Sequence, residues 1–157
     1  MTKTMKLQAI MDECDFHVRQ LDRAHKHLLP NFPLDHDRLH LLLGTEMHYL
    51  DQMVYRFSRL QDSLGAKLFP LLAEAFIPSQ EKLTFIDMLN LLEKNEILPN
   101  AKLWREMRDF RNHLTQEYPE NPDLMINNLN QAPTYVKNLL DIWVFVKPKA
   151  THILSQL

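Results

Sequence analysis

The chain has 157 residues, of which 45% are hydrophobic, and a formal charge of −2 at pH 7 with the histidines neutral. This length and apolar content predict one packed domain over residues 1–157 and argue against wholesale disorder. A protein that coats duplex nucleic acid is usually more basic, so any contact with nucleic acid must be confined to a local patch.

Glycine and cysteine are both scarce. Only Gly44 and Gly65 occur, and no glycine-rich phosphate-binding motif is present. The single cysteine, Cys14, rules out an internal disulfide and suits a reducing compartment. The first residues lack the apolar core of a signal peptide, and no uncharged apolar run approaches the roughly 18 residues of a membrane span. We therefore expect a cytoplasmic protein with no membrane contact.

The first half of the chain has helical periodicity. Apolar residues from Leu7 to Leu28 recur at spacings of three, four and seven, which predicts one long helix that ends before two prolines. A second, longer apolar stripe runs from Leu39 to Leu68, and Asp35 or Asp37 can cap its helix. Pro70 is expected to kink or interrupt that second helix.

Helix signals continue after Pro78. Thr84 followed by Asp87 resembles a capping box and predicts a short helix to about Asn95. A turn at "ILPN" follows, and Asn100 is suited to cap the next helix.

The last part of the chain is punctuated by prolines. Pro122 is well placed at a helix start, and Pro133 and Pro148 punctuate a final helix pair. The whole pattern predicts an all-α fold, an up-and-down bundle of about five or six helices.

The helix that follows Asn100 carries the most polar stretch of the chain, "RDFRNHLTQEYP". With ~3.6 residues per turn, its core-facing side chains are expected to be Leu103, Met107, Phe110 and Leu114. A neighbouring flank carries Trp104, Arg108, Arg111, Thr115 and Tyr118, whereas Asn112 and Gln116 lie near the outward side. His113 is expected on the far flank with the acidic residues.

Two interpretations fit this stripe of arginines. A charged stripe beside an apolar face is typical of a solvated helix edge with pairs of opposite charge. However, Trp104 and Tyr118 stand among the arginines, and aromatic and arginine side chains together are enriched at protein interfaces and RNA contacts.

The same stretch resembles a known signature. "RNHLTQEYP" is similar to the "RN…H-x-Y" motif of the HEPN superfamily, and three flanking segments resemble its HepT-like branch. These segments are "RFSRLQDSLGAKLFPLL", "LTFIDMLNLLEKNEILPN" and "WREMRDFRN…EYPENPD". The resemblance covers roughly residues 50–125, with a helical segment before it as expected.

The resemblance implies a function. HepT-like proteins are small helical bundles that act as metal-independent ribonucleases, often as the toxin of a bacterial toxin–antitoxin pair. They form homodimers in which two motifs meet in a composite cleft, and they need no cofactor. Their usual partner is a small nucleotidyltransferase antitoxin, which in some pairs adenylylates the motif tyrosine.

Carried over by position, Arg111 and Asn112 match the "RN" of the motif and Tyr118 matches its tyrosine. Gln116 occupies the position of the motif histidine, and this is a departure from the pattern. Metal-free RNA cleavage needs a group that exchanges protons near neutral pH, whereas a glutamine amide only forms hydrogen bonds. We therefore expect cleavage to be weakened while the arginine still binds phosphate.

His113 offers an alternative, because Arg108 and His113 satisfy an R-x4-H spacing. Residues five apart lie ~140° apart on a helix, so such a pair acts jointly only near a helix end or across a dimer cleft. The alternative interpretation is a surface histidine near Asp109 and Glu117. Tyr118 is also open to two interpretations, as a plug of the helix end or as a binding and modification site.

Histidine clusters occur elsewhere, but the sequence predicts no metal site. His36 and His40 have a spacing that can chelate a metal, and His25 and His27 follow Asp22. Neither cluster has the paired ExxH pattern of di-iron bundles.

The leading interpretation is a cytoplasmic, dimeric HepT-like protein that binds RNA through Arg108, Arg111, Asn112 and Trp104. The rival is a non-catalytic module, in which the same surface docks a nucleotidyltransferase or a larger assembly and Tyr118 serves that partner.

Overall fold

A computed structural model describes residues 1–78, 81–115 and 120–157, and within them the chain is all-α, with no strand. The helices are α1 (Lys3–Leu28), α2 (His36–Thr45), α3 (Met47–Asp62), α4 (Phe69–Ala73), α5 (Phe85–Lys94), α6 (Ala101–Leu114), α7 (Pro122–Leu129) and α8 (Ala132–Ser155). Six of these have ten residues or more. The predicted all-α helical bundle is confirmed.

Helix starts follow the capping residues that the sequence offers. The Asp35 side chain accepts a hydrogen bond from the backbone N–H of Arg38 and caps α2. Thr84 caps α5 and Asn100 caps α6 in the same way, as predicted. Pro122 is the first residue of α7, where the missing N–H costs no helical hydrogen bond.

The second apolar stripe was predicted as one helix, and this is wrong. It breaks at Glu46 into α2 and α3, and a π-helical turn, Ser63–Leu68, joins α3 to α4. In this turn the N–H of Phe69 bonds to the carbonyl of Leu64, five residues back. A proline at position 70 cannot donate a hydrogen bond and its ring crowds the preceding turn, and the wider π turn immediately before it relieves that crowding.

Pro148 does not end a helix, contrary to the prediction, but lies inside α8. Val146 and Ala150, on either side of it, are fully buried in the core. Their burial holds the helix together across the one hydrogen bond that proline removes.

The core-facing side of α6 is rotated from the predicted one. Trp104 was expected on a flank of the core-facing side, but it is only 1% exposed, whereas Leu103, expected in the core, is only partly buried. The Trp104 ring packs against Phe69, with ring centroids 4.8 Å apart. Burial of the largest side chain on α6 outweighs the polar character of its neighbours and sets the orientation of the helix.

Candidate functional site

Helix α6 separates two concave surfaces. The first, which we call the arginine pocket, has a volume of about 540 Å³ and lies between α3, the π turn, α5 and α6. Its lining includes Gln61, Asp62, Gly65, Phe85, Trp104 and the pair Arg108 and Arg111. The second, the histidine cleft, has a volume of about 340 Å³ and is lined by Glu106, Asp109, Phe110, His113, Asn128, Gln131 and Tyr135.

Arg111 is held by an ion pair inside the chain. Both terminal nitrogens of its guanidinium face the Asp62 carboxylate, and Nη2 donates a hydrogen bond to Oδ2 at 3.1 Å. The two side chains are 28% and 41% exposed, so water screens the pair and its contribution to stability is small. The bidentate geometry nevertheless fixes the guanidinium at the pocket, in the form in which arginine also binds a phosphate group.

Arg108 is exposed and forms no salt bridge within the part of the chain that the structure describes. Its guanidinium carbon lies 4.9 Å from the centroid of the Phe85 ring, a cation–π contact that stabilises its position without neutralising it. Arg108 and Arg111 are three residues apart on α6, so both arginines reach the same pocket. Arg108 is therefore the cation that an incoming anion meets without displacing a carboxylate.

The inner wall of the arginine pocket depends on Gly65 and the π turn. A Cβ atom added at Gly65 would lie 3.0 Å from a ring carbon of Trp104, so a larger residue requires the indole to shift by a few tenths of an ångström. A π turn inside a helix is frequently found at functional sites, because it reshapes the surface locally. Here it brings the helix backbone against the buried indole.

Gln61 lies at the buried end of the arginine pocket. The residue is 3% exposed, and neither its Oε1 nor its Nε2 has a hydrogen-bond partner in the described residues. Most buried polar groups in proteins are paired, so an orphaned primary amide in a pocket wall is unusual.

The histidine cleft has a different chemistry. The Nδ1 of His113 lies 2.8 Å from the backbone carbonyl of Asp109, so Nδ1 carries the proton and donates. Glu106 and Asp109 add carboxylates, and the Phe110 and Tyr135 rings stack at 4.8 Å. No arginine lines this cleft.

The structure places Arg108 and Arg111 on a different surface from His113. Arg111 lines the arginine pocket and His113 lines the histidine cleft, and the two linings share none of the described residues. Arg108, the arginine of the alternative R-x4-H spacing, also lines the arginine pocket. The interpretation of His113 as a surface histidine near Asp109 agrees with its exposed position.

The remaining motif residues are only partly described. Asn112 is exposed at the end of α6. Gln116 and Tyr118, the departure and the tyrosine of the motif, lie outside the described residues.

The described titratable groups with shifted pKa values lie on α1 and line neither surface. Burial, assisted by the neighbouring Arg56, lowers the pKa of His17, whose Nδ1 lies 3.0 Å from Nη1 of Arg56. Burial also lowers the pKa of His25. The Cys14 thiol is fully buried, and burial raises its pKa to about 12, so it is a small core residue and not a nucleophile.

Across residues 1–78, 81–115 and 120–157, no group of three or more His, Cys, Asp or Glu side chains is placed to hold a metal ion. His36 lies 2.7 Å from an Asp123 oxygen instead. No helix in these same residues is long and apolar enough to cross a membrane.

Several pocket residues escaped the sequence interpretation, among them Gln61, Asp62 and Phe85. One signal was present: Gly65 interrupts a helical stripe five residues before Pro70. An isolated glycine inside such a pattern usually has a packing or functional reason.

No protein-family model, no curated protein and no solved structure matches this chain.

Proposed function

We propose that this chain is a HepT-like HEPN protein that binds RNA in the arginine pocket and cleaves it weakly. The sequence resemblance over residues 50–125 supports the family, and the all-α bundle is compatible with it. The single observation that carries RNA binding is the placement of Arg108 and Arg111 together beside an apolar pocket.

This placement suits the two chemical parts of a nucleotide. Guanidinium groups bind phosphate oxygens through charge-assisted hydrogen bonds, and apolar walls accept a base. The chain as a whole is slightly acidic, so affinity for RNA depends on this local pair of cations. Arg108 provides the first contact, since no carboxylate competes for it among the described residues.

Asp62 limits the affinity of the site. A phosphate that binds Arg111 competes with the Asp62 carboxylate for the same nitrogens. Binding therefore replaces the Asp62 carboxylate by a phosphate at Arg111, which lowers the net free energy gained on binding. Removing the Asp62 charge is expected to strengthen RNA binding.

Weak cleavage follows from Gln116, which replaces the motif histidine and cannot act as a general base. The proposal also includes a homodimer, a small nucleotidyltransferase antitoxin as partner and a cytoplasmic location, all of which rest on the resemblance. Adenylylation of Tyr118 by that partner is part of the same proposal.

Fluorescence anisotropy with a labelled single-stranded RNA tests RNA binding directly. We expect Arg108→Ala and Arg111→Ala each to weaken binding roughly tenfold, as loss of a charge-assisted hydrogen bond does. Asp62→Asn should strengthen binding. Lys102→Ala is the matched control, because Lys102 is an exposed cation on the same helix that does not line the pocket.

Two results would contradict the proposal. Wild-type protein that binds no RNA at low salt excludes an RNA-binding function and favours the rival interaction module. RNA binding that falls equally in the Lys102→Ala and Arg108→Ala variants places the contact outside the pocket, since it would then depend only on total charge.

A further inference from the structure

The proposed RNA contacts of Arg108 and Arg111 do not account for the buried amide of Gln61. In water, the oxygen of an amide and both hydrogens of its nitrogen form hydrogen bonds. These hydrogen bonds are lost when the amide is buried without partners. Both polar atoms of Gln61 are orphaned, although a leucine or methionine at this position would fill the same space without that cost. A ligand that pairs both atoms recovers the lost interactions.

The shape of the arginine pocket indicates the size of that ligand. Its volume of about 540 Å³ lies within the range of small-molecule sites, and apolar residues make up most of its wall. Arg108 is exposed and Arg111 is half-buried, whereas Gln61 and Trp104 are buried. The pocket thus has a cationic mouth and an apolar interior with one amide.

The amide presents one donor and one acceptor in one plane. Glutamine pairs in this bidentate way with the N6 and N7 edge of adenine, where an amino group donates and a ring nitrogen accepts. Gln61 lines the pocket, but both of its polar atoms are buried in the observed rotamer, so pairing with a ligand requires a rotamer change that turns the amide toward the pocket. Gln61 and Arg108 line the same pocket, so one nucleotide presents its base and its phosphate to the two groups.

We propose that the arginine pocket receives one unstacked adenine of the bound RNA, with Gln61 reading the edge of the base while Arg108 holds an adjacent phosphate. This inference rests on the proposed RNA-binding function and adds base preference to it. It also explains why a polar residue occupies a position at which an apolar one would make the bundle more stable.

Binding of short labelled oligoadenylate, oligouridylate and oligocytidylate tests the preference. We expect wild-type protein to prefer oligoadenylate roughly tenfold, the discrimination typical of one bidentate contact. Gln61→Leu should abolish this preference and raise the melting temperature. Gln61→Met is the second variant, with an unbranched side chain of similar volume.

The control is Gln52→Leu, on the same helix but outside the pocket lining, which should retain the preference. Wild-type protein that binds all three RNAs equally, or a Gln61→Leu variant that keeps the preference, overturns the adenine assignment while RNA binding stands. A Gln61→Leu variant with a lower melting temperature overturns it too, since the amide would then be paired within the fold. If wild-type protein binds none of the RNAs, the proposed function itself fails and this inference fails with it.

Discussion

The two sides of α6 differ in chemistry. Among the described residues, the arginine pocket is lined by two arginines, one carboxylate and an apolar interior without a histidine, whereas the histidine cleft is lined by a histidine and two carboxylates without a lysine or an arginine. A general base and a phosphate-binding group are thus present on one helix but face different surfaces. Closeness in the sequence therefore does not place two residues in one site, because residues two apart on a helix lie on nearly opposite sides.

The groups suited to phosphate binding and to proton transfer are also separated within one chain. Metal-free RNA cleavage needs the base within hydrogen-bond reach of the hydroxyl that it activates, close to the bound phosphate. Within one chain, His113 does not line the pocket that holds Arg111. The proposed RNA site can therefore bind RNA without the means to cut it efficiently.

Restoring the motif histidine should produce the largest change. We expect Gln116→His to raise the rate of RNA cleavage in EDTA by about 10²- to 10⁴-fold, the usual contribution of a general acid–base group. His113→Ala should leave the wild-type rate unchanged, because that side chain belongs to the other surface. Cleavage of a mixed RNA pool, followed by gel electrophoresis, measures both variants.

Arg111→Ala combined with Gln116→His is the matched control, and it should remove the gained activity. A wild-type protein that cuts efficiently and loses activity in His113→Ala would contradict this prediction. It would also show that the histidine cleft joins the arginine pocket of a second chain.

The two sides should differ in stability as well. Trp104→Ala removes the buried indole behind the arginine pocket and should lower the free energy of unfolding by roughly 3–5 kcal/mol. His113→Ala, on the exposed side, should change it by less than about 0.5 kcal/mol. Urea denaturation followed by circular dichroism measures the free energy of unfolding of both variants. Equal effects would contradict the burial of one side of α6 and the exposure of the other.

The sequence predicted the fold class and most helix starts, because caps and helical periodicity are local signals. Asp35, Thr84 and Asn100 illustrate this, since each caps the helix that begins beside it. The break at Glu46 and the continuation through Pro148 depend on which neighbouring residues are buried, and this is not local information.

The candidate site was predictable only in part. Arg108 and Arg111 were identified from the motif, and the structure places both beside the same pocket. Asp62, the partner of Arg111, lies 49 residues earlier in the chain, so no short pattern connects them. Trp104 was placed on the wrong side because the sequence does not show which aromatic residue the core can accommodate.

Gly65 and Gly44 provide a matched pair of substitutions that test the arginine pocket, with smaller expected effects on stability. Gly65→Ala should lower the free energy of unfolding by about 1–2 kcal/mol, because the added methyl group forces the Trp104 ring to shift. Gly44→Ala should raise it by roughly 0.5–1 kcal/mol, since its Cβ meets open space and alanine favours a helix. Thermal denaturation compares them, and stabilisation by both substitutions would mean that the π turn is not constrained by Trp104.

The smallest effect concerns pH and lies outside both surfaces. Burial, and for His17 the charge of Arg56, places the pKa of His17 and His25 in the folded chain below that of the unfolded chain. The unfolded chain therefore takes up more protons as the pH falls below about 6.5, and the free energy of unfolding decreases in that range. Melting temperatures across this range should fall for wild type and fall less for His17→Gln, with His152→Gln at the exposed end of α8 as control.

An equal fall in the wild type and the His17→Gln variant would show that His17 takes up its proton without unfolding.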